Sequence, residues 1–126
     1  PGPTRDGSII VIVATDAPLL PHQLARVAKR PSLALGRLGA VSTAGSGDIF
    51  VAFSTANRDG IDEAEFSEVS VFPNNALTAV FTVTVQATEE AIVNAMAAAE
   101  TVIGASGFRV EALPGEQARA LFRPAD

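Results

Sequence analysis

Apolar and polar positions divide this chain into blocks with different periods. Ile9 to Ala14 is an unbroken apolar run, mostly β-branched, with Ser8 in front and Thr15-Asp16-Ala17-Pro18 behind. A run without alternation predicts a strand over 8–15 covered on both faces, because alternation marks a strand with one wet face. From Pro21 the period becomes helical. Pro21 suits a first helical turn. Leu24, Val27, Ala28, Leu35 and Leu38 form the stripe, and Gly39 is a natural stop. Pro31 falls inside that stripe and predicts a kink or a split, since it has no N–H and crowds the preceding turn. Residues 40–48 are small and polar and predict a loop, and Ile49 to Thr55 predicts the second strand.

The acidic stretch 58–68, with Asp59, Asp62, Glu63, Glu65 and Glu68, reads as a solvated loop, and Val69 to Phe72 as a short edge strand. Asn74 and Asn75 are helix-capping residues. From Leu77 through Val80, Phe81, Thr84, Thr88, Ile92, Ala95, Ala99 and Val102 the spacing is near-helical up to Gly104. Val80 to Val85 also alternates like a strand. The stripe continues unbroken into the alanine-rich half, so a helix is the reading, with the alanines on its buried face. Phe108 to Leu113 predicts a last strand, followed by a Pro114-Gly115 turn and a short helix ending near Phe122. Residues 1–7 are turn formers, loosely held. Strands and helices in alternation predict an α/β layered domain. So few strands cannot cover a first strand of this kind, so further strands must come from elsewhere, the missing start of the chain being the obvious source.

Composition narrows the functional classes. The 126 residues suit one domain, 48% of them are hydrophobic, and no continuous apolar run approaches the roughly 18 residues of a membrane span. The excess apolar surface therefore belongs in a core or against a partner, not a membrane. A net charge of −5 argues against nucleic acid, and the basic cluster Arg26, Lys29, Arg30 reads as a solvated helix face. There is no cysteine and one histidine, His22. That excludes disulfides, thiolate chemistry and a multi-histidine metal site, and no cofactor or metal is expected. Position 1 is not Met, and no signal peptide is visible. The expectation is a processed, partial or trimmed chain, placed in the cytoplasm, with the periplasm as the alternative.

The chemistry-bearing positions are few. Gly7-Ser8 precedes the first strand. It is either a plain turn or a bond the chain cuts itself, which would leave Ser8 with a hydroxyl nucleophile and a free α-amine on one residue. Ser46-Gly47-Asp48 precedes the second strand, with a hydroxyl and a carboxylate two residues apart. The pair can face one cavity, or Asp48 can bond its own backbone in a turn. His22, in a first helical turn without an acidic partner nearby, reads as structural or surface. Thr88-Glu89-Glu90 reads as helix surface, and Asp6 as a loop acid.

Three blocks, Ser8 to Leu24 (SIIVIVATDAPLLPHQL), Gly45 to Asn57 (GSGDIFVAFSTAN) and Val85 to Glu100 (VQATEEAIVNAMAAAE), occur in this order. Together they resemble the C-terminal, β-subunit half of the β-aminopeptidases and L-aminopeptidase/D-esterases (DmpA-type). The resemblance runs from Gly7 onward, and the first block is its most specific part. It implies a precursor that cleaves itself at Gly7-Ser8, leaving 1–7 as a residual tail and 8–126 as the β-subunit half of one four-layer αββα sandwich completed by an upstream α-subunit. Ser8 would be the N-terminal nucleophile of a serine aminopeptidase acting on small peptides, amides or esters, with Ser46 and Asp48 as the other candidate catalytic residues. Other members carry Glu at the position of Asp48. Oxyanion-hole groups would lie on the α-subunit, and the assembly would be a tetramer of heterodimers. Two alternatives remain: acyl transfer of the ornithine-acetyltransferase type on a related self-cleaving scaffold, and a non-catalytic α/β binding domain.

Overall fold

The computed structural model describes residues 7–58 and 68–116. Most of the expected acidic loop, Asp6 and the expected final helix toward Phe122 lie outside the described residues. The chain divides into two compact units, 1–89 and 90–126.

In the first unit, β1 (Ile10–Thr15) and β2 (Ile49–Ser54) pair in parallel, in register from Ile10 opposite Ile49 to Thr15 opposite Ser54. Parallel neighbours need a crossover, and two helices supply it: α1 (Pro21–Val27) and α2 (Pro31–Arg37). The expected split at Pro31 is complete. Pro31 sits at the first position of α2, where its missing N–H costs no helical bond. Gly39 closes α2 at φ +92°, with Gly39 N–H on the Gly36 carbonyl and Ala40 N–H on the Leu35 carbonyl. That is a Schellman ending, and the positive φ is why glycine stands there.

A turn of 3₁₀ helix at Asn74–Ala76 leads into α3 (Leu77–Ala98). Neither Asn74 nor Asn75 caps it with a side chain; Asn74 instead accepts a 2.8 Å bond from the Gln23 amide. Leu19, Val27 and Leu77 form the core between the helices and one face of the sheet, with Val13, Ala52, Leu24, Val80 and Phe81 packed around them. Arg30 and Arg26 lie over the Phe81 ring at 3.9 and 5.1 Å, so two members of the basic cluster are held at the surface by cation–π contact.

Among the described residues of the first unit, the other face of the sheet is bare. Ile10 and Ile12 are 66% and 64% exposed, and Ile49, Val51 and Phe53 line up beside them. Both-face burial, expected from the unbroken apolar run, is therefore half realised among the described residues.

Four expectations are corrected. Residues 69–72 form no strand; the Asn57 side chain instead accepts from Ser70 N–H and donates to the Ser70 carbonyl, each at 2.9 Å. An amide thus takes the place of a backbone ladder. The long helix ends at Ala98, not near Gly104, because Val102–Ile103 (β3) turns back to pair antiparallel with Arg109–Val110 (β4) in the second unit. Gly107, at φ +74°, makes that turn. The expected last strand is correspondingly short. The buried residues of α3 are Leu77, Thr84 and Thr88, while Ala91, Ala95 and Ala98 are exposed.

Asn74–Ala98 is, by length and hydropathy, able to cross a membrane, which the search for continuous apolar runs did not register. In this fold, Thr84 and Thr88 lie on its buried side, and Glu89 pairs with Arg37 at 2.8 Å. Its first half packs on the core through Leu77, Val80 and Phe81.

One buried polar residue ties these parts together. Gln23 is 1% exposed. Its Oε1 accepts from Leu20 N–H at 2.9 Å and its Nε2 donates to the Phe72 carbonyl and Asn74 Oδ1, both at 2.8 Å. All its amide capacity on that side is used, as burial requires. The most specific block of the sequence is thus partly structural, clasping α1 to the segment that leads into α3.

Candidate active site

The site forms at the N-terminal ends of the two parallel strands. Pairing of β1 with β2 places Ser8, just before one strand, next to Ser46-Gly47-Asp48, just before the other. The ladder continues one step outward, with Ile49 N–H on the Ile9 carbonyl at 2.9 Å. Residues 39 apart in sequence therefore meet for a backbone reason, before any side chain is considered.

The contacts at this junction are specific. Gly47 N–H donates to Ser8 Oγ at 2.9 Å. Ser46 Oγ donates to Asp48 Oδ1 at 2.7 Å and lies 3.3 Å from the Gly7 carbonyl oxygen. Ile9 N–H donates to Asp48 Oδ1 at 3.1 Å. Ser42 Oγ reaches Asp48 Oδ2 at 3.5 Å. One hydroxyl thus stands beside the Gly7 carbonyl oxygen, and one backbone amide donates to the Ser8 hydroxyl.

Asp48 does not fold back on its own turn. It accepts from the Ile9 amide, just before β1, rather than from its own backbone. The Ser46 hydroxyl, then the Ile9 amide, hold its carboxyl below the ordinary carboxylate range; slight desolvation opposes them, and Ser42 adds to the lowering. A depressed carboxyl contributes stability that is full above the unfolded pKa near 4 and is lost as pH falls through the lower folded value. At neutral pH Asp48 is ionised.

A cleft of about 480 Å³ opens here, lined by Ser8, Leu35, Val41, Ser42, Ser46 and Asp48 among others. Asp48 is its one ionisable side chain among the described residues. His22 lies exposed on α1 and is not among the cleft residues. Glu89 is taken by Arg37, and Thr88 is buried rather than on the surface. Among the described residues, no group of acidic or histidine side chains could hold a metal ion.

Sequence reasoning missed two participants. The Gly47 amide carries no side-chain signal; only the strand register reveals it. Glycine is not required there for space, since an added Cβ would meet Ser8 Oγ at an ordinary 3.7 Å. Ser42 is one small residue in a loop of them, with no motif to mark it.

Residues 2–110 match Peptidase family S58, and the chain belongs to that family. Over 120 residues the chain is 50% identical to the beta-peptidyl aminopeptidase BapA of Sphingosinicella microcystinivorans, covering 94% of this chain and 30% of that protein. Among solved structures, the PH0078 protein of Pyrococcus horikoshii OT3 superposes with a TM-score of 0.86 at 46% identity, over 92% of this chain and 33% of that one. The L-aminopeptidase D-Ala-esterase/amidase of Ochrobactrum anthropi, described as a new variant of the Ntn-hydrolase fold, gives 0.83 at 45% identity, again over 92% and 33%. The chain thus spans about a third of the length of these relatives.

Proposed function

We propose that this chain is the nucleophile-bearing part of a self-processing N-terminal-serine aminopeptidase. Residues 8–126 are the β-subunit half of an αββα sandwich, and an upstream segment of the same precursor covers the bare sheet face. The observation that carries the reading is the paired contact at one bond: Gly47 N–H on Ser8 Oγ and the Ser46 hydroxyl 3.3 Å from the Gly7 carbonyl oxygen.

Self-cleavage follows from these contacts. Ser8 Oγ adds to the Gly7 carbonyl carbon, and the Ser46 hydroxyl turns its single proton from Asp48 Oδ1 to the oxyanion that forms. A donor at that place is worth up to about 3 kcal/mol, less the cost of giving up the bond to Asp48. The C–N bond breaks as the hydroxyl proton passes to Ser8 nitrogen, which leaves a Gly7 ester on Ser8 Oγ. Water hydrolyses the ester to a Gly7 carboxylate and a free Ser8 hydroxyl. Ser8 then carries its own base, an α-amine with an ordinary pKa near 8, well placed for work near neutral pH.

In turnover the amine takes the Oγ proton as oxygen attacks the first carbonyl of a substrate. The amine then returns the proton to the departing nitrogen, and water releases the acyl group by the same route. Asp48 holds the Ser46 hydroxyl and the Ile9 backbone in place. The substrate is a small peptide, amide or ester with a free N-terminus, and the assembly is a tetramer of heterodimers.

The test is a pH–rate profile on an aminoacyl amide and on its N-acetylated counterpart. Activity is expected on the free-amine substrate alone, falling on the acid side with a midpoint near pH 7–8 as the Ser8 amine protonates. Asp48→Asn should lower the rate about 10- to 100-fold while keeping that limb, because the charge-assisted bond to Ser46 is weakened and the base is untouched. An acid limb below pH 4 in the unaltered protein, abolished in Asp48→Asn, would make Asp48 the base instead. Transfer from an acetyl donor to an amino acid in place of hydrolysis would favour the acyltransferase alternative.

A further inference from the structure

The Asp48 carboxylate is held unevenly. Oδ1 accepts two hydrogen bonds, from Ser46 Oγ at 2.7 Å and Ile9 N–H at 3.1 Å. Oδ2 has one donor among the described residues, Ser42 Oγ at 3.5 Å. Ser42 stands in the loop between α2 and β2 and lines the same cleft as Ser8. Its backbone is also unusual: at φ +47° it occupies the left-handed region that a residue with a Cβ seldom adopts. Glycine or asparagine would suit that backbone better. Serine there is a costlier choice for the fold, and its hydroxyl is what the choice provides.

Resting on the reading of Ser8, Ser46 and Asp48 given above, we propose that Ser42 is a positioning residue of this site, whose hydroxyl closes the outer oxygen of Asp48 and so fixes the carboxylate that holds the Ser46 oxygen beside the scissile carbonyl. Without that bond the carboxylate can rotate about its last torsion, a broad and soft one. The Ser46 hydroxyl then divides its time between orientations. Ser42 touches neither Ser8 nor the Gly7 carbonyl, so its effect is on rate through Asp48 rather than on binding.

The experiment compares Ser42→Gly, Ser42→Ala and Ser42→Asn in the full-length precursor, following self-cleavage by denaturing gel, kcat and KM on a free-amine aminoacyl amide, and Tm. Glycine relaxes the backbone and removes the hydroxyl; alanine removes the hydroxyl and keeps the Cβ; asparagine tolerates the backbone and returns a donor. The expected result is a roughly 3- to 10-fold slowing of cleavage and of kcat in both Gly and Ala variants, the worth of one modest hydrogen bond. KM should be nearly unchanged, Tm of the Gly variant equal or higher, and most of the rate recovered in Asn. Cleavage and kcat at the unaltered level in Ser42→Gly would overturn the proposal, whether or not Ala is slow, since backbone fit alone would then explain the position. Full rates in Asp48→Asn would remove the underlying reading instead.

Discussion

Ser8→Ala leaves the precursor as one band on a denaturing gel and lowers hydrolysis of a free-amine substrate by at least about 10⁴-fold, since loss of a nucleophile removes its whole catalytic unit. The variant loses two functions at once. Without Oγ, no oxygen stands beside the Gly7 carbonyl to start the acyl shift, and the Gly47 amide loses its acceptor. Without cleavage, Ser8 nitrogen stays an amide and has no basicity. The fold should be little affected, because Ser8 is exposed and its hydroxyl makes one hydrogen bond among the described residues. A circular dichroism spectrum like that of the unaltered protein, together with an uncut band, is therefore expected. Normal processing in Ser8→Ala would end the proposed mechanism.

Ile12→Asp is expected to prevent the protein from maturing by a different route. Ile12 sits at the centre of the bare sheet face, beside Val51, with Ile10 and Ile49 on one side and Phe53 on the other. A face this apolar on both strands is made to be covered. If the upstream segment packs there, a carboxylate at position 12 would be buried without a partner, at a cost of several kcal/mol against a total stability of about 5–15 kcal/mol. Little soluble, processed protein should be recovered. Ser32→Asp, an exposed first-turn position of α2, should mature normally. Equal yields of mature protein from both variants would mean that the face meets solvent, and the four-layer arrangement would be withdrawn.

Much of the first unit was legible in the sequence. Local backbone chemistry wrote it: the β-branched run of β1, Pro21 and Pro31 at helix starts, and Gly39 at a helix end. Val80 to Val85 are helical despite their alternation, because Leu77, Val80, Phe81 and Thr84 meet the core at helical spacing, so period outweighs β-propensity. What failed depended on partners far along the chain. Residues 69–72 look like a strand, yet their pairing is supplied by one Asn57 side chain, which no propensity records. Val102 was drawn into the helix by its spacing; Gly104 and Gly107 in fact bracket a hairpin turn.

The candidate site was legible in part. Ser8, Ser46 and Asp48 were singled out, and the parallel register brings all three to one cleft. The donor on Ser8 is a backbone amide and could emerge only from that register. Ser42 could emerge only from its dihedral angle. Gln23 shows the converse: a residue of the most specific block whose place is explained by a buried hydrogen-bond cluster away from the cleft.

Intact mass of the purified, turnover-competent enzyme bears most directly on all of this. The account predicts two polypeptides, one of them beginning at Ser8 with an unblocked amine and the other ending at Gly7. Active protein in which Gly7 and Ser8 remain joined would contradict it.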